Sequence, residues 1–320
     1  MELTPSNLNA MFTAYDVRWQ SAYTSIDPWW DRFAMLAPSG TTQNTYAWMA
    51  KIPTLRKWLG ERQAQNVQAY SYTIVNDDYE LTMKLDRNTI EDDQFGLYNP
   101  VIDDMGQQSR KWPDYLVADL MMAGDGNLAN TALAASQTIG FDGVTYYNVA
   151  HPVDPKKAGS ATYSNLLTTT ALSVDNYQIA RAQFATFKGE DGKPFGIRPD
   201  TLTVPAQLEH IGNTILKADF VGFSPVAGKT AVGSTSNVLK GTSELVVLDE
   251  LAARATEWYL HVTKRAIKPF VHQLRKAPEF VYFNQPNSES VFNRREFVYG
   301  VHARGAAGYS LPFLSLKGIA

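Results

Sequence analysis

Cysteine is absent from all 320 residues, so neither disulfides nor thiolate metal sites can hold this chain together, and folding in a reducing cytoplasm is expected. A basic excess is absent as well: 29 Lys and Arg stand against 32 Asp and Glu, giving a net charge of −3. Proteins that grip nucleic acid through its phosphates carry surplus or clustered cations, so such gripping is not expected. No apolar run approaches the roughly 18 residues of a membrane span. The opening MELTPSNLNAMF lacks the basic start and apolar core of a secretion signal, so a soluble product not exported by that route is expected.

Catalytic signatures are missing too. His151, His210, His261, His272 and His302 are scattered, without HExxH or comparable metal spacing. There is no GxSxG elbow and no thiol nucleophile. The best case for an enzyme is a nucleotide site at Gly222-Phe223-Ser224-Pro225-Val226-Ala227-Gly228-Lys229-Thr230, followed by the apolar run Glu244 to Leu248 and the acids Asp249 and Glu250. A phosphate-binding loop needs four residues between its glycines; here there are five, one of them proline, and the backbone amides lose their convergence. The interval to Asp249 is also short for a crossover helix and a further strand. No catalytic residue, metal or cofactor is expected, and a P-loop ATPase stands only as an alternative.

What is present is ordinary globular composition, 44% hydrophobic and 19% charged, which excludes a largely disordered chain. The length suits two lobes. Thr4-Pro5 reads as a capped helix start, and Leu8, Met11, Phe12, Tyr15 and Trp19 follow as one apolar stripe. Trp29, Trp30, Phe33, Met35 and Leu36 show no period, which suits either an arm laid over other surfaces or a locally folded core segment. Asp103 to Gly124 reads as a helix with Pro113 starting or kinking it. A second helix is expected over Asp175 to Lys188, with Tyr177, Ala180, Phe184 and Phe187 on one stripe. Thr201 to Val204 reads as a strand passing at Pro205 into a helix carrying Leu208, Ile211 and Ile215. Gly222 to Gly241 reads as an exposed loop, Leu245 to Leu248 as a buried strand, and Phe280 to Phe283 and Phe297 to Val301 as strands before a glycine-broken Gly305 to Gly308. His151-Pro152 is assigned turn geometry and hydrogen bonding.

The segment from Tyr79 to Asp93 is the richest. Tyr79, Leu81, Met83 and Leu85 alternate with Glu80, Thr82, Lys84 and Asp86, a two-faced strand. Tyr70, Tyr72 and Ile74 alternate upstream, with Asn76-Asp77-Asp78 between, so a hairpin with a polar turn is expected, its apolar face awaiting cover from elsewhere in an assembly. Glu91, Asp92 and Asp93 read as acids in the first turn of a helix, with cation binding as the alternative. They are also candidates for pairing with Arg56, Arg62, Arg294 or Arg295 of another copy.

These residues, with LRKWLGER (Leu55 to Arg62), FDGVTYYNVAHP (Phe141 to Pro152), GKPFGIRPDTLTVPAQLE (Gly192 to Glu209) and FVYGVHARGAAGYSLPF (Phe297 to Phe313), resemble in collinear order the Mu-like phage major head subunit family. The resemblance spans nearly the whole chain. It implies a mixed α+β, Hong Kong 97 type capsid fold: an N-terminal arm (1–41), an extended hairpin loop (42–88), a peripheral domain with a spine helix (89–165 and about 266–300) and an axial domain with C-terminal strands (166–265 and about 301–320). It implies a non-catalytic subunit that self-assembles, through hexamers and pentamers, into an icosahedral head enclosing DNA without sequence-specific binding, which the absence of a basic excess suits. Scaffolding protein, head protease, portal and decoration protein are the implied partners, the host bacterial cytoplasm the place of assembly, and the virion the destination. Candidate assembly residues are Arg56, Trp58, Glu61, Arg62, Asp86, Arg87, Glu91, Asp92, Asp93, Arg294, Arg295 and Arg304. A tail tube or sheath component is the other structural alternative.

Overall fold

The computed structural model describes residues 4–49, 69–92, 95–189, 192–223, 233–283 and 295–320. Thr4 caps helix α1 (Pro5–Thr24) by accepting from the Asn7 amide at 3.2 Å. A short α2 (Trp30–Phe33) leads into β1 (Ala34–Pro38). Then come β2 (Gln43–Met49), β3 (Ala69–Val75), β4 (Asp77–Asp86), α3 (Arg87–Glu91) and the long α4 (Asn99–Ala123). Three two-residue strands, β5 (His151–Pro152), β6 (Thr162–Tyr163) and β7 (Leu166–Leu167), precede α5 (Val174–Gln183), β8 (Thr201–Val204) and α6 (Glu209–Lys217). They are followed by β9 (Phe220–Phe223), β10 (Gly233–Ser236), β11 (Glu244–Val247), β12 (Glu257–His261), β13 (Phe270–Phe283), β14 (Glu296–Tyr309) and β15 (Ser315–Ile319).

Two larger sheets organise the molecule. One has the order β1-β13-β14-β4, the other β11-β8-β12-β15-β7. Helices α1 and α4 cover one face of the first through a core of Leu8, Met11, Tyr15, Trp19, Leu85, Ile102, Phe297 and Tyr299. Leu85, Ile102 and Phe297 are fully buried there, and each such side chain contributes about 1.5–3 kcal/mol of transfer free energy. The second sheet packs with α5 and α6 around Tyr177, Phe184, Leu202, Ile215, Leu260 and Leu316. A third cluster, including Phe33, Leu120, Tyr147, Tyr259, Phe270 and Tyr309, joins the two.

The structure corrects several expectations. β3 and β4 do not form a hairpin: β3 pairs with β2, and β4 pairs antiparallel with β14. Only Asn76 separates β3 from β4, and none of Asn76, Asp77 and Asp78 has positive φ, so the chain lacks the backbone of a tight turn and passes from one sheet to another. Asn76 fixes that passage. Its side-chain amide donates to Ser39 Oγ at 2.8 Å and the Thr41 carbonyl at 2.9 Å, while its Oδ1 accepts from Gln273 at 2.7 Å. The Met83 and Leu85 end of β4's apolar face finds its cover in the same chain, on α1 and α4, while Leu81 stays partly exposed. The aromatic stretch after α1 is likewise a core segment, with Phe33 fully buried.

Pro113 lies inside α4 and does not start it; the start is at Asn99-Pro100. Gly305 and Gly308 do not break β14. A Cβ at Gly305 would lie 2.5 Å from the Gln273 carbonyl oxygen, and one at Gly308 would lie 2.4 Å from Ile74 Cδ1. Both glycines therefore serve close approach within a strand. The expected loop over Gly222 to Gly241 contains the antiparallel pair β9–β10, with residues 224–232 outside the described set. Glu91 ends α3 and Asp92 follows it, so these acids do not occupy a helix's first turn. Asp86, the residue just before α3, has an Oδ1 that accepts from the Asn88 amide at 2.6 Å.

Candidate assembly surface

The uncovered face of the β13-β14-β4 ribbon carries the charge. Register places Asp78 beside Arg304, and Arg304 beside Lys276; Glu80 stands beside His302, and His302 beside Glu279. Arg304 Nε lies 3.2 Å from Asp78 Oδ1, Lys84 Nζ 3.0 Å from Glu296 Oε2 and Lys276 Nζ 2.6 Å from Glu279 Oε2. His302 Nε2 joins this last pair through Lys276. Exposed pairs of this kind are weak, being solvated and screened, so the ladder does little for the subunit's stability. Sequence reasoning missed Lys276, Glu279 and His302, because their grouping depends on which distant strand pairs with which.

At the other end of β4, the chain brings Asp86, Arg87 and Arg295 together. The Arg87 amide donates to the Arg295 carbonyl at 2.8 Å, Asp86 stands opposite Glu296, and Arg295 takes left-handed backbone at φ 53°. Asp92, one turn on, is exposed and its amide bonds the Asn88 carbonyl. Arg304 is separate from this group, at the Asp78 end. Arg56, Trp58, Glu61, Arg62, Asp93 and Arg294 lie outside the described residues, as does the Glu91 side chain. Among the described residues, no cluster of three or more His, Asp or Glu suits a metal ion.

The β2–β3 ribbon forms a sheet of its own. Its base is anchored: Ile74 is buried and the Tyr46 hydroxyl donates to Gln273 at 2.8 Å. Further out, Thr45, Ala47, Ser71 and Thr73 are exposed, and the described ribbon closes at the pair Met49 and Ala69. On the opposite face of the same strands, against α4, Tyr79, Leu81, Trp112, Tyr115, Pro278 and Val301 line an apolar cavity of about 220 Å³.

Buried polar groups elsewhere hold the frame. His151 is fully buried, with Nδ1 at 2.5 Å from Asp142 and Nε2 at 3.0 Å from Asn165 Oδ1, so the hydrogen bonding expected for it is present, though in a short strand and not a turn. Asp114 on α4 accepts from the amides of Trp29 and Trp30 at 3.0 and 2.8 Å. Burial pushes its carboxyl up to about 7; the Trp30 and Trp29 amides oppose this, and Glu250 and Asp31 add to it. A carboxyl whose folded value exceeds its unfolded one favours the fold fully only below the unfolded value, and loses that contribution as pH rises through the folded value. Between about pH 4 and pH 7 the melting temperature should therefore carry a falling component. Asp114→Asn should flatten it, as measured by thermal melts across that range.

The sequence model described as Mu-like prophage major head subunit gpT matches residues 8–171, 166–251 and 249–318. The chain is 25% identical over 309 residues to the major capsid protein of Escherichia phage Mu, covering 97% of this chain and 72% of that protein. It is 24% identical over 307 residues to the Mu-like prophage FluMu major head subunit of Haemophilus influenzae, covering 96% and 71%. Among solved structures, a chain of the procapsid of bacteriophage JBD30 superposes with a TM-score of 0.59 at 25% identity, covering 99% and 76%. A chain of the mature capsid of bacteriophage PhiM1 gives 0.55 at 10% identity, covering 92% and 87%, a likeness of fold.

Proposed function

The chain belongs to the Mu-like prophage major head subunit gpT family, and from that premise we propose how its copies join. It is a structural major capsid subunit of the Hong Kong 97 type, a component of the virion, built to assemble with other copies of itself. The observation that carries our reading is the β2–β3 ribbon, a two-stranded sheet with exposed outer residues. Two strands are marginal alone, so the ribbon and the 50–68 segment beyond it gain cover by lying on a sister subunit. The segment's Arg56, Trp58 and Arg62 are residue types enriched at interface centres. Asp86, Arg87, Asp92 and Arg295 at one end of β4, and Arg304 at the other, offer charge to neighbours. Glu61, Glu91, Asp93 and Arg294 extend the same proposal.

In this reading the β2–β3 part of the 42–88 segment reaches outward from a peripheral unit (89–165 and about 266–300), whose sheet β4 joins by pairing with β14, and an axial unit (166–265 and about 301–320) gathers copies into hexamers and pentamers. Residues 1–41 form the arm, whose α1 lies on its own α4. Assembly takes place in the host bacterial cytoplasm, with scaffolding protein, head protease, portal and decoration protein as partners. The shell encloses DNA without reading its sequence.

Electron microscopy of the purified, concentrated chain tests this. Closed shells are the expected product. Open filaments would instead assign it to a tail tube or sheath, and ATP hydrolysis lost on Lys229→Ala would make it an enzyme.

A further inference from the structure

Lys317 is the one lysine among the described residues with no exposed surface on its side chain that also faces two carboxylates. It sits on β15 directly opposite Tyr259 of β12. Its Nζ lies 3.0 Å from Asp125 Oδ2, 2.9 Å from Glu257 Oε2 and 3.0 Å from the Met122 carbonyl. The rings of Tyr147 and Tyr259 close over it at 5.9 and 5.7 Å. The Tyr259 hydroxyl donates to the same Glu257 oxygen at 2.6 Å, and Arg254 Nη1 stands 3.9 Å from the other Glu257 oxygen.

This is an amine held against a carboxyl carbon, one bond beyond Asp125 Oδ2, with a second carboxyl touching the same nitrogen and little solvent present. Such placement replaces a bimolecular encounter by an intramolecular one, worth effective molarities of about 10⁵–10⁸ M when the reacting atoms are well aligned. Keeping two cations and two anions desolvated is unfavourable. Joining one of each as an amide leaves the Arg254–Glu257 pair balanced, and the dry site resists reversal.

We propose that Lys317 and Asp125 form an intramolecular amide bond, with Glu257 as the proton carrier. The Nζ lone pair attacks Asp125 Cγ, a C–N bond forms and a C–O bond breaks. Two of the three ammonium protons leave on the departing oxygen as water, one of them passed through Glu257. No oxidant, nucleotide or metal is consumed. The bond ties the residue just past α4 to the C-terminal strand across 192 positions of chain.

Mass spectrometry of the denatured, purified full chain tests the proposal, which stands independently of how copies assemble. The expected mass is lower than that of the sequence by one water, with a tryptic peptide containing Asp125 joined to one left uncut after Lys317. Lys317→Arg and Glu257→Gln each restore the full mass. A wild-type chain at full mass overturns the proposal. So does a water loss that persists in Lys317→Arg, since Asp125-Gly126 can lose water by closing on its own backbone.

Discussion

Leucine in place of Gly106 is expected to lower the melting temperature of the unassembled subunit by roughly 5–10 °C. Gly106 sits on α4 where α1 crosses it, and a Cβ there would lie 2.6 Å from the Trp19 carbonyl oxygen and 2.8 Å from Ala22 Cβ. Neither obstacle is the end of a flexible side chain, so α1 must move as a body. Forcing atoms into a packed core costs about 1–3 kcal/mol and occasionally more, and about 2–4 °C of melting temperature is lost per kcal/mol in domains somewhat smaller than this chain. Moving α1 also loosens Tyr15 and Trp19 from Tyr299 and Phe280, which they touch as aromatic pairs. Calorimetry on the isolated subunit is the check. An unchanged transition would mean that α1 is held by something other than its own α4.

Shortening the ribbon should have the opposite profile. Met49 and Ala69 face each other across the β2–β3 pair, so replacing residues 50–68 by Asn-Gly joins them through the turn type that suits antiparallel strands. The ribbon's anchors at Tyr46, Ile74 and Asn76 stay in place. The melting temperature is expected to stay within about 2 °C of the parent, which is less than 1 kcal/mol, while shell formation falls to background in sedimentation and microscopy. Shells of normal yield would remove the ribbon from the assembly account.

Local signals in the sequence translated well into structure. The Thr4 cap and the strand at Thr201 to Val204 are where their residues place them, because each depends on neighbours a few positions away. Of the expected stripe to Lys188, Tyr177 and Ala180 lie on α5, which ends at Gln183, while Phe184 opens a 3-10 turn and Phe187 is extended, all four buried. The pairing of β4 with β14 was not legible, since Asp77 to Asp86 meets Glu296 to Gly305 across more than two hundred residues. The alternation of β3 and β4 was read correctly face by face and assigned the wrong partner. The glycines of β14 misled for a related reason: Gly305 and Gly308 look like a break until Gln273 and Ile74 are brought against them. Of the candidate assembly residues, Asp86, Arg87 and Arg295 do come together, and the ladder of Lys276, Glu279 and His302 was invisible without strand register. The family, by contrast, was legible from motif order along the chain.

The central claim is that this subunit's ribbon is completed by a sister copy. A cryo-electron microscopy map of shells assembled from the purified chain tests it most directly. The account predicts density for residues 50–68 lying across the body of an adjacent subunit, with Trp58 enclosed at that contact. Density that folds the same segment back onto its own subunit, with neighbours meeting elsewhere, would contradict it.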